Sequence, residues 1–210
     1  MPVEQELKYK LKQKDYRRLR DYLKPRMLRI ERHTNYYFDT SHLELREDGI
    51  GLRIRMLDRT KAILTLKYKK KTTEVFEGYR SRFEFETQIP LKNAKDIIAG
   101  KKAIGSLNSD PIKRLKKLVI GDTVDHLELL GSLKNQRILF RFGKHHTLEL
   151  DRSNMFDKTF YELEIETEHP KETDKAVRRL LKAQEIEIKP GNRSKLGQFV
   201  REWKKRLAAA

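Results

Sequence analysis

The sequence predicts an α+β protein in which about eight antiparallel strands close into a β-barrel, with helices packed on its outside. Three features of the pattern favour this fold. The predicted strands alternate between apolar and charged residues, acidic and basic residues are sorted onto different strands, and several amphipathic helices need an apolar surface to cover. An ordinary sandwich with a solvated charged face would show the same alternation, and it stays the alternative.

The first element is a strand over residues 3–11, with the sequence VEQELKYKL. Apolar and charged residues alternate along it, so Glu4 and Glu6 stand on one face, roughly 6.6 Å apart. Two carboxylates that close repel each other unless a positive charge lies between them. The pair therefore indicates a divalent metal ion, if the rest of the chain supplies further ligands.

The other strands follow from the same period of two and from turn residues between the runs. Residues 51–56 and 62–69 form a predicted hairpin around a turn at residues 58–60, and residues 69–73 are expected to be loop. A three-stranded meander is expected later in the chain, with turns near Lys134-Asn135 and Gly143. Beyond the first strand, the predicted strands are residues 31–39, 51–56, 62–69, 82–86, 127–133, 137–142, 146–151 and 160–166.

The helices follow from apolar residues three and four positions apart. Asp15 is a candidate N-cap for the first helix, Pro25 ends it, and Gly49 and Gly51 mark the turn that follows the next strand. The predicted helices are residues 16–23, 91–100, 111–119, 174–184 and 196–203.

Composition narrows the function classes. The formal net charge of +17 indicates an anionic partner such as a nucleic acid, a nucleotide, polyphosphate or an acidic surface, and a solvated basic surface is the alternative. The chain has no cysteine, which excludes disulfides and thiolate metal sites and favours a cytoplasmic protein. No apolar run resembles a signal peptide or a membrane span. We interpret residues 1–207 as one domain and residues 208–210, three alanines, as an appended tail.

The charged residues are sorted by sign along the chain. Basic residues, among them Arg53 and Lys67, occupy the predicted hairpin, whereas carboxylates such as Glu6 and Glu164 occupy the first and last strands. If the apolar faces are covered by helices, these charges line the interior of the barrel, where they must be paired or bound to a ligand. A barrel lined in this way is a tunnel for a charged ligand and its counterion.

These residues resemble a known family, the triphosphate tunnel metalloenzymes of the CYTH superfamily, and look most like the small stand-alone CYTH proteins of Gram-positive bacteria. The resemblance covers nearly the whole chain. It rests on Glu4-x-Glu6-x-Lys8, Tyr37-Phe38-Asp39-Thr40, Leu52-Arg53-Ile54-Arg55, Leu64-Thr65-Leu66-Lys67, Gly131-Ser132-Leu133 with Arg137, Leu150-Asp151, Glu162-Leu163-Glu164-Ile165-Glu166 and Ser194-Lys195-Leu196.

The resemblance implies an eight-stranded antiparallel tunnel, a divalent metal ion and a triphosphate-bearing substrate. The implied metal ligands are Glu4 and Glu6 with two or more of Glu162, Glu164 and Glu166, and Asp151 is a further candidate. The implied phosphate-binding residues are Lys8, Arg53, Arg55, Lys67, Arg137 and Lys195. Of these, Lys8, Arg55, Lys67 and Lys195 are also candidate catalytic residues, together with Glu84 and Glu86. For Glu84, Glu86 and Asp151, support of other ligands, binding of a second metal and positioning of water stay open.

The chemistry of these residue types is consistent with those roles. Carboxylate oxygens suit Mg²⁺ or Mn²⁺ rather than zinc, and arginine and lysine are the usual partners of phosphate oxygens. The sequence contains no P-loop and no G-x-G-x-x-G motif. Phosphoryl transfer depends mainly on positioning and charge neutralisation, so it needs no covalent nucleophile.

The favoured function is therefore metal-dependent hydrolysis of a triphosphate, with inorganic triphosphate as the first choice because few aromatic residues lie on the charged faces. Adenylate cyclase and thiamine triphosphatase are the enzymatic alternatives. A binding module for polyphosphate, nucleotides or RNA is the non-enzymatic one. Nucleic acid alone is disfavoured, since Glu4, Glu6 and the last strand would repel phosphates without a metal. We expect a monomer or homodimer that does not bind membranes.

Overall fold

The structure, a computed structural model, describes residues 3–58, 60–70, 77–144 and 146–208. Its strands are β1 (Val3–Leu11), β2 (Met27–Asp39), β3 (Ile50–Leu57), β4 (Lys61–Lys69), β5 (Tyr79–Ile89), β6 (Glu128–Phe142), β7 (His146–Met155) and β8 (Lys158–Glu166). Its α-helices are α1 (Gln13–Leu23), α2 (Glu44–Glu47), α3 (Leu91–Ile98), α4 (Asp110–Leu118), α5 (Pro170–Ala183) and α6 (Lys195–Leu207).

The eight strands form a closed barrel in the order β1-β5-β4-β3-β2-β6-β7-β8. Every strand pair whose register is described here is antiparallel. The predicted α+β fold, a closed eight-stranded antiparallel barrel with helices, is thus confirmed. No helix in the described part of the chain is both long enough and apolar enough to cross a membrane.

One predicted turn is wrong. Lys134 and Asn135 do not separate two strands but lie inside the continuous 15-residue strand β6. Asn135 is buried, donates a hydrogen bond to Asp151 Oδ1 and accepts one from Ser153 Oγ, so its amide serves the strand interior instead of a turn. Merging the two predicted strands reduces nine predicted segments to the eight observed.

Other boundaries differ by a few residues. Strand β2 begins at Met27, helix α5 begins at Pro170, and β7 continues to Met155. Gly51 lies within β3 rather than in a turn, whereas Gly49 has a φ of +74° and does turn the chain after α2. Residues 71–73 of the predicted loop, and residues 209 and 210 of the predicted tail, lie outside the described residues.

The chain divides into two compact units. The first consists of Met1–Val3, His33–Lys70 and Arg82–Lys134, and the second of Glu4–Arg32, Lys71–Ser81 and Asn135–Ala210. That residues 1–207 act as one domain stays a prediction. Each unit has its own apolar core, and each carries its own group of charged residues.

In the first unit, the apolar face of β3, β4 and β5 packs against α3 and α4. Ile54 and Leu64 are paired in register and fully buried, and they share a core with Ile97 of α3 and Leu115 of α4. Because side chains alternate along a strand, Arg53, Arg55, Lys67 and the carboxylates of β5 lie on the opposite face.

In the second unit, the apolar face of β1, β8 and β7 packs against α1 and α5. Leu7 is paired in register with Ile165, which is paired with Leu148, and all three are buried. Leu19 of α1 and Val177 of α5 complete this core. The even-numbered residues of β1 and β8 therefore lie on the opposite face, where α6 contributes side chains of its own.

Candidate active site

Carboxylates lie opposite carboxylates on the charged face of the second unit. The strand register pairs Glu6 with Glu166, and it also pairs Glu149 with Glu164 and Asp151 with Glu162. Like charges directly opposite each other destabilise a sheet unless cations lie between them. The cations that contact this face are Lys8, Arg80, Arg137 and Lys195.

Glu164 is the centre of this group. It is buried and contacts Lys8 Nζ, while Lys195 Nζ lies 2.6 Å from Oε1 and Arg137 Nη2 lies 2.7 Å from Oε2. Burial alone would raise its pKa, but Lys195, Lys8 and Arg137 outweigh burial and hold the pKa of Glu164 well below its usual range. Three cations, of which Lys8 and Lys195 are buried, thus converge on one carboxylate.

Asp151 is fully buried and holds two of those cations. Arg137 donates to both of its oxygens, with Nε 2.9 Å from Oδ1 and Nη2 2.7 Å from Oδ2, and Lys195 Nζ lies 2.7 Å from Oδ2. Asn135 Nδ2 donates to Oδ1 at 3.0 Å. Although burial acts in the other direction, Arg137 and Lys195 lower the pKa of Asp151 to about 2.

The two carboxylate oxygens of Glu162 differ in their contacts. Its Oε1 accepts a hydrogen bond of 2.7 Å from Gln198 Nε2 and lies 3.8 Å from Lys8 Nζ. Its Oε2 is buried, forms no hydrogen bond with a described residue and lies 3.6 Å from Lys195 Nζ. A buried carboxylate oxygen without a hydrogen bond is unfavourable unless another cation or donor binds there.

Glu149 has a pKa raised to about 7. Burial is the largest cause, Arg137, which Glu149 contacts, lowers the pKa, and Asp151, Glu164 and Glu166 raise it further. A cation bound beside these carboxylates would stabilise their ionised forms.

The main chain of Lys8 is held from both sides. Its N–H donates to Gly78 O at 2.9 Å, and its carbonyl accepts from Gly191 N at 2.8 Å. A Cβ atom on Gly191 would lie 2.5 Å from Lys8 Cγ, so only glycine allows this close approach. Lys8 itself is 2% exposed; burial lowers its pKa, but Glu162 and Glu164 outweigh burial and raise the pKa above its usual value.

The charged face of the first unit carries the predicted basic residues. Arg53 Nη2 lies 3.6 Å from Glu84 Oε1 and 3.8 Å from Glu86 Oε1, and Lys67 Nζ lies 3.0 Å from Glu84 Oε1. Arg55 Nε donates to Asn35 Oδ1 at 3.1 Å. These side chains are only partly buried, so an anion can reach the guanidinium and ammonium groups from solvent.

Glu86 is an acceptor on the same face. Thr65 Oγ1 donates to Glu86 Oε1 at 2.8 Å, and these two residues are paired in register. Burial raises the pKa of Glu86, but Thr65, Arg53 and Arg55 together lower it below the usual value. Glu86 therefore stays ionised at neutral pH, opposite the basic residues of the hairpin.

The donor set of the second unit fits a hard divalent cation. All candidate ligands are carboxylate oxygens, Glu162 Oε2 has no hydrogen bond, and Glu6 is paired in register with Glu166. No group of three or more acidic, histidine or cysteine side chains is already arranged for a metal among the described residues. Lys8, Lys195 and Arg137 hold Glu164 and Asp151 in ion pairs instead.

The structure thus brings most predicted site residues into two groups. The ionic cluster of the second unit contains Glu6, Lys8, Arg137, Asp151, Glu162, Glu164 and Lys195. Glu4 lies on β1 beside Glu6 and Lys8, and Glu166 lies on β8 with Glu162 and Glu164. The first unit collects Arg53, Lys67, Glu84 and Glu86, and Arg55 with Asn35. Which of these residues bind metal or substrate stays a prediction.

Sequence reasoning missed several members of these groups. Arg80, whose Nε lies 3.9 Å from Glu6 Oε1, was left out because it precedes the strand segment predicted at residues 82–86. Glu149 alternates with Asp151 on β7, and that spacing was the available signal. Asn135 and Gln198 are uncharged and carried no signal in a pattern built on charge.

The chain matches the model of the CYTH domain over residues 3–204. Among solved structures it is similar to HpAC1 from Hippeastrum, described as a candidate adenylyl cyclase, with 28% identity, a TM-score of 0.86 and coverage of 95% of this chain and 96% of that one. It is also similar to a candidate adenylate cyclase from Bacillus halodurans, with 21% identity, a TM-score of 0.77 and coverage of 95% and 99%.

A further similar structure is the PH1819 protein from Pyrococcus horikoshii, with 20% identity, a TM-score of 0.60 and coverage of 95% of this chain and 99% of that one. The last two likenesses bear on the fold alone. A comparison with curated protein sequences gives no match. Because the family model spans nearly all of the chain, including both groups of charged residues, the protein belongs to the CYTH family.

Proposed function

We propose that this protein hydrolyses triphosphates with the help of Mg²⁺ or Mn²⁺, and that inorganic triphosphate is its favoured substrate. The observation that carries the proposal is the ionic cluster of the second unit, where paired carboxylates lie beside three cations that contact Glu164. So many carboxylates would weaken a site for a nucleic acid backbone, because they repel its phosphates. A metal ion together with an anionic substrate accounts for both signs of charge.

The relatives support the same reaction class. HpAC1 from Hippeastrum, which is 28% identical to this chain, is described as having a dominant triphosphatase activity. The first unit adds Arg53, Arg55 and Lys67 to the proposal as residues that bind phosphate oxygens. Arginine forks and lysine ammonium groups are the usual protein partners of such oxygens.

The proposed metal ligands are Glu4 and Glu6 with two or more of Glu162, Glu164 and Glu166. A divalent cation bound there supplies charge neutralisation for phosphate oxygens and an orienting point for water. The contacts of Asp151 with Arg137, Lys195 and Asn135 favour a role in holding those cations in place over direct ligation. Lys8 and Lys195 then offer ammonium groups to the substrate from buried, fixed positions.

The protein residues act through positioning and charge. Lys8, Arg137 and Lys195 are proposed to bind the phosphate oxygens on which negative charge accumulates as the terminal bond breaks. Their raised pKa values keep all three fully protonated at neutral pH. Glu84 and Glu86 are candidates for orienting the attacking water, because both are carboxylates on a face lined with basic groups.

The test is a substrate panel with product identification. Inorganic triphosphate, ATP, thiamine triphosphate and 5′-triphosphorylated RNA are each incubated with Mg²⁺, with Mn²⁺ and with EDTA. We expect phosphate release, fastest from inorganic triphosphate and absent with EDTA. Formation of cyclic AMP from ATP would identify a cyclase instead. Binding without turnover, weakened by salt but unaffected by EDTA, would identify a binding module.

Two variants test the assigned residues. Glu6→Gln should reduce the rate at least a hundredfold, since a metal ligand is lost, while the matched control Glu168→Gln changes an exposed carboxylate of the same unit and should keep the wild-type rate. Lys67→Ala should raise KM for triphosphate without unfolding the protein. Normal turnover in Glu6→Gln would remove that residue from the proposed metal site.

A further inference from the structure

The second unit contains a cavity whose basic residues take no part in the proposed reaction. It has a volume of about 240 Å³ and lies where the ends of β1 and β8 meet helix α6. We name it the α6 cavity. Its lining includes Lys10 and Leu11 of β1, Phe160, Tyr161 and Glu162 of β8, Arg193 before α6, and Gln198, Arg201 and Glu202 of α6.

Three cations on this cavity have no partner among the described residues. The side chains of Lys10, Arg193 and Arg201 form no ion pair or hydrogen bond with any residue that the structure describes, and all three residues are exposed. The two carboxylates of the lining are already compensated. Glu162 lies near Lys8 and Lys195, and Glu202 lies 2.5 Å from Lys158 Nζ and 3.5 Å from Lys205 Nζ. The cavity therefore presents uncompensated positive charge.

The rest of the lining suits a compact ring. Leu11, Phe160 and Tyr161 provide apolar and aromatic surface. Gln198, which donates to Glu162 Oε1 at 2.7 Å, adds a polar side chain. Aromatic surface beside arginine is a setting in which a base can stack while its phosphate is bound.

The size of the cavity narrows the choice further. A volume of about 240 Å³ is slightly below that of sites for drug-sized molecules, so the occupant is small. Free phosphate would satisfy the cations but would leave the apolar and aromatic wall uncovered. A molecule with a phosphate group, a sugar and a nitrogen-containing ring contacts both.

We propose that the α6 cavity binds a nucleoside phosphate, with its phosphate on Arg193, Arg201 and Lys10 and its base or sugar against Phe160 and Tyr161. The proposal does not depend on triphosphate hydrolysis, because neither arginine belongs to the proposed reaction. Glu162 is shared between the cavity and the ionic cluster, since its Oε1 also lies 3.8 Å from Lys8 Nζ. An occupied cavity is thus only one side chain away from Lys8.

The test measures binding by titration calorimetry on the full chain in EDTA, so that a metal-dependent site makes no contribution. The probes are AMP, GMP, CMP and UMP, with adenosine and inorganic phosphate as the parts of the first probe. The test variant is the double substitution Arg193→Ala and Arg201→Ala. The matched control is the double substitution Lys175→Ala and Arg179→Ala, which removes the same charge from exposed positions of α5 in the same unit.

We expect at least one of the four nucleotides to bind the wild type at least tenfold more tightly than adenosine or inorganic phosphate. The Arg193 and Arg201 variant should bind it at least tenfold more weakly, and the α5 control should stay within twofold of the wild type. The proposal is overturned if none of the four nucleotides binds, if phosphate binds as tightly as the nucleotide, or if the two double variants lose affinity equally. Circular dichroism of each variant confirms that it is folded.

Discussion

Gly191 offers the sharpest test of how Lys8 is positioned. In Gly191→Ala, the new Cβ would lie 2.5 Å from Lys8 Cγ and 2.9 Å from Lys8 Cδ. Gly191 does not have a positive φ, so the substitution adds a clash and no backbone strain of that kind. Because Lys8 is buried and bound to Glu164, its stem has little room to move.

The size of the effect follows from overpacking in a buried site. Extra methyl groups in such positions destabilise by about 1–3 kcal/mol. With a urea m-value of about 2 kcal/mol per M, a cost of about 2 kcal/mol lowers the unfolding midpoint by about 1 M. Urea unfolding followed by far-UV circular dichroism measures this shift directly.

A double-mutant cycle identifies the clash as the cause. Lys8→Ala removes Cγ and Cδ, and the remaining contact, between the new Cβ and Lys8 Cβ, is 3.2 Å. Gly191→Ala should then cost less by about 1 kcal/mol or more in the Lys8→Ala background, whereas independent sites add within about 0.5 kcal/mol. Equal costs in both backgrounds would refute the idea that Gly191 positions the Lys8 stem.

Three further predictions concern stability. Asp39→Ala should destabilise the folded protein by about 1–3 kcal/mol. The Asp39 carboxylate accepts hydrogen bonds from the backbone N–H groups of Thr40, Leu45 and Arg46 at 2.8–3.0 Å, and the variant loses them. The control Asp48→Ala, at an exposed position, should leave the urea midpoint unchanged. Arg137→Lys should lower the free energy of unfolding by about 1–3 kcal/mol, because an ammonium group cannot bind Asp151 and Glu164 together as the guanidinium does. Its control is Arg141→Lys, an exposed position on the same strand. Equal urea midpoints for the two variants would contradict the reasoning. Burial and the hydrogen bond to Asp174 raise the pKa of Tyr9 above 10.0 in the folded protein. The unfolded state therefore loses this proton first, and the free energy of unfolding falls as the pH rises above about 10. Urea midpoints measured from about pH 8 to about pH 11 should fall less steeply in Tyr9→Phe than in the wild type.

The strands of the barrel could be predicted because the alternation of apolar and charged residues shows which residues lie on each face of a strand. In β3, for example, Leu52 and Ile54 alternate with Arg53 and Arg55, and the structure buries the first pair while leaving the second on the charged face. The sequence could not separate a barrel from a sandwich, since alternation specifies faces but not the closure of the sheet. Closure was an inference from the sorting of charges and from the family resemblance.

The error in β6 has a physical reason. Asparagine is typical of turns because its side chain competes for backbone hydrogen bonds, so the sequence alone predicts a turn at Asn135. In the structure its amide instead serves Asp151 and Ser153, two residues that follow far along the chain. Local turn chemistry cannot reveal a partner of this kind.

Most of the predicted site residues lie in the two charged groups, but their roles stay a prediction and their contacts are more extensive than the sequence pattern indicates. Charge patterning indicated Glu164 and Lys195 separately, yet it gave no reason to expect that Lys195, Lys8 and Arg137 all contact the same carboxylate. Nor could it assign Arg80 to Glu6, since that pair joins two strands, β5 and β1, that lie far apart in the chain. Such pairings depend on three-dimensional distances that no spacing rule encodes.

The position of Lys195 in the chain has a consequence for biosynthesis. Asp151 and Glu164 lie on β7 and β8, and a ribosome makes both before it reaches the first residue of α6, whose ammonium group lies within 2.7 Å of each of them. Until that residue emerges, the nascent chain carries an acidic surface that lacks one of the three cations that contact Glu164. The ionic cluster therefore cannot reach its native arrangement before α6 has been made.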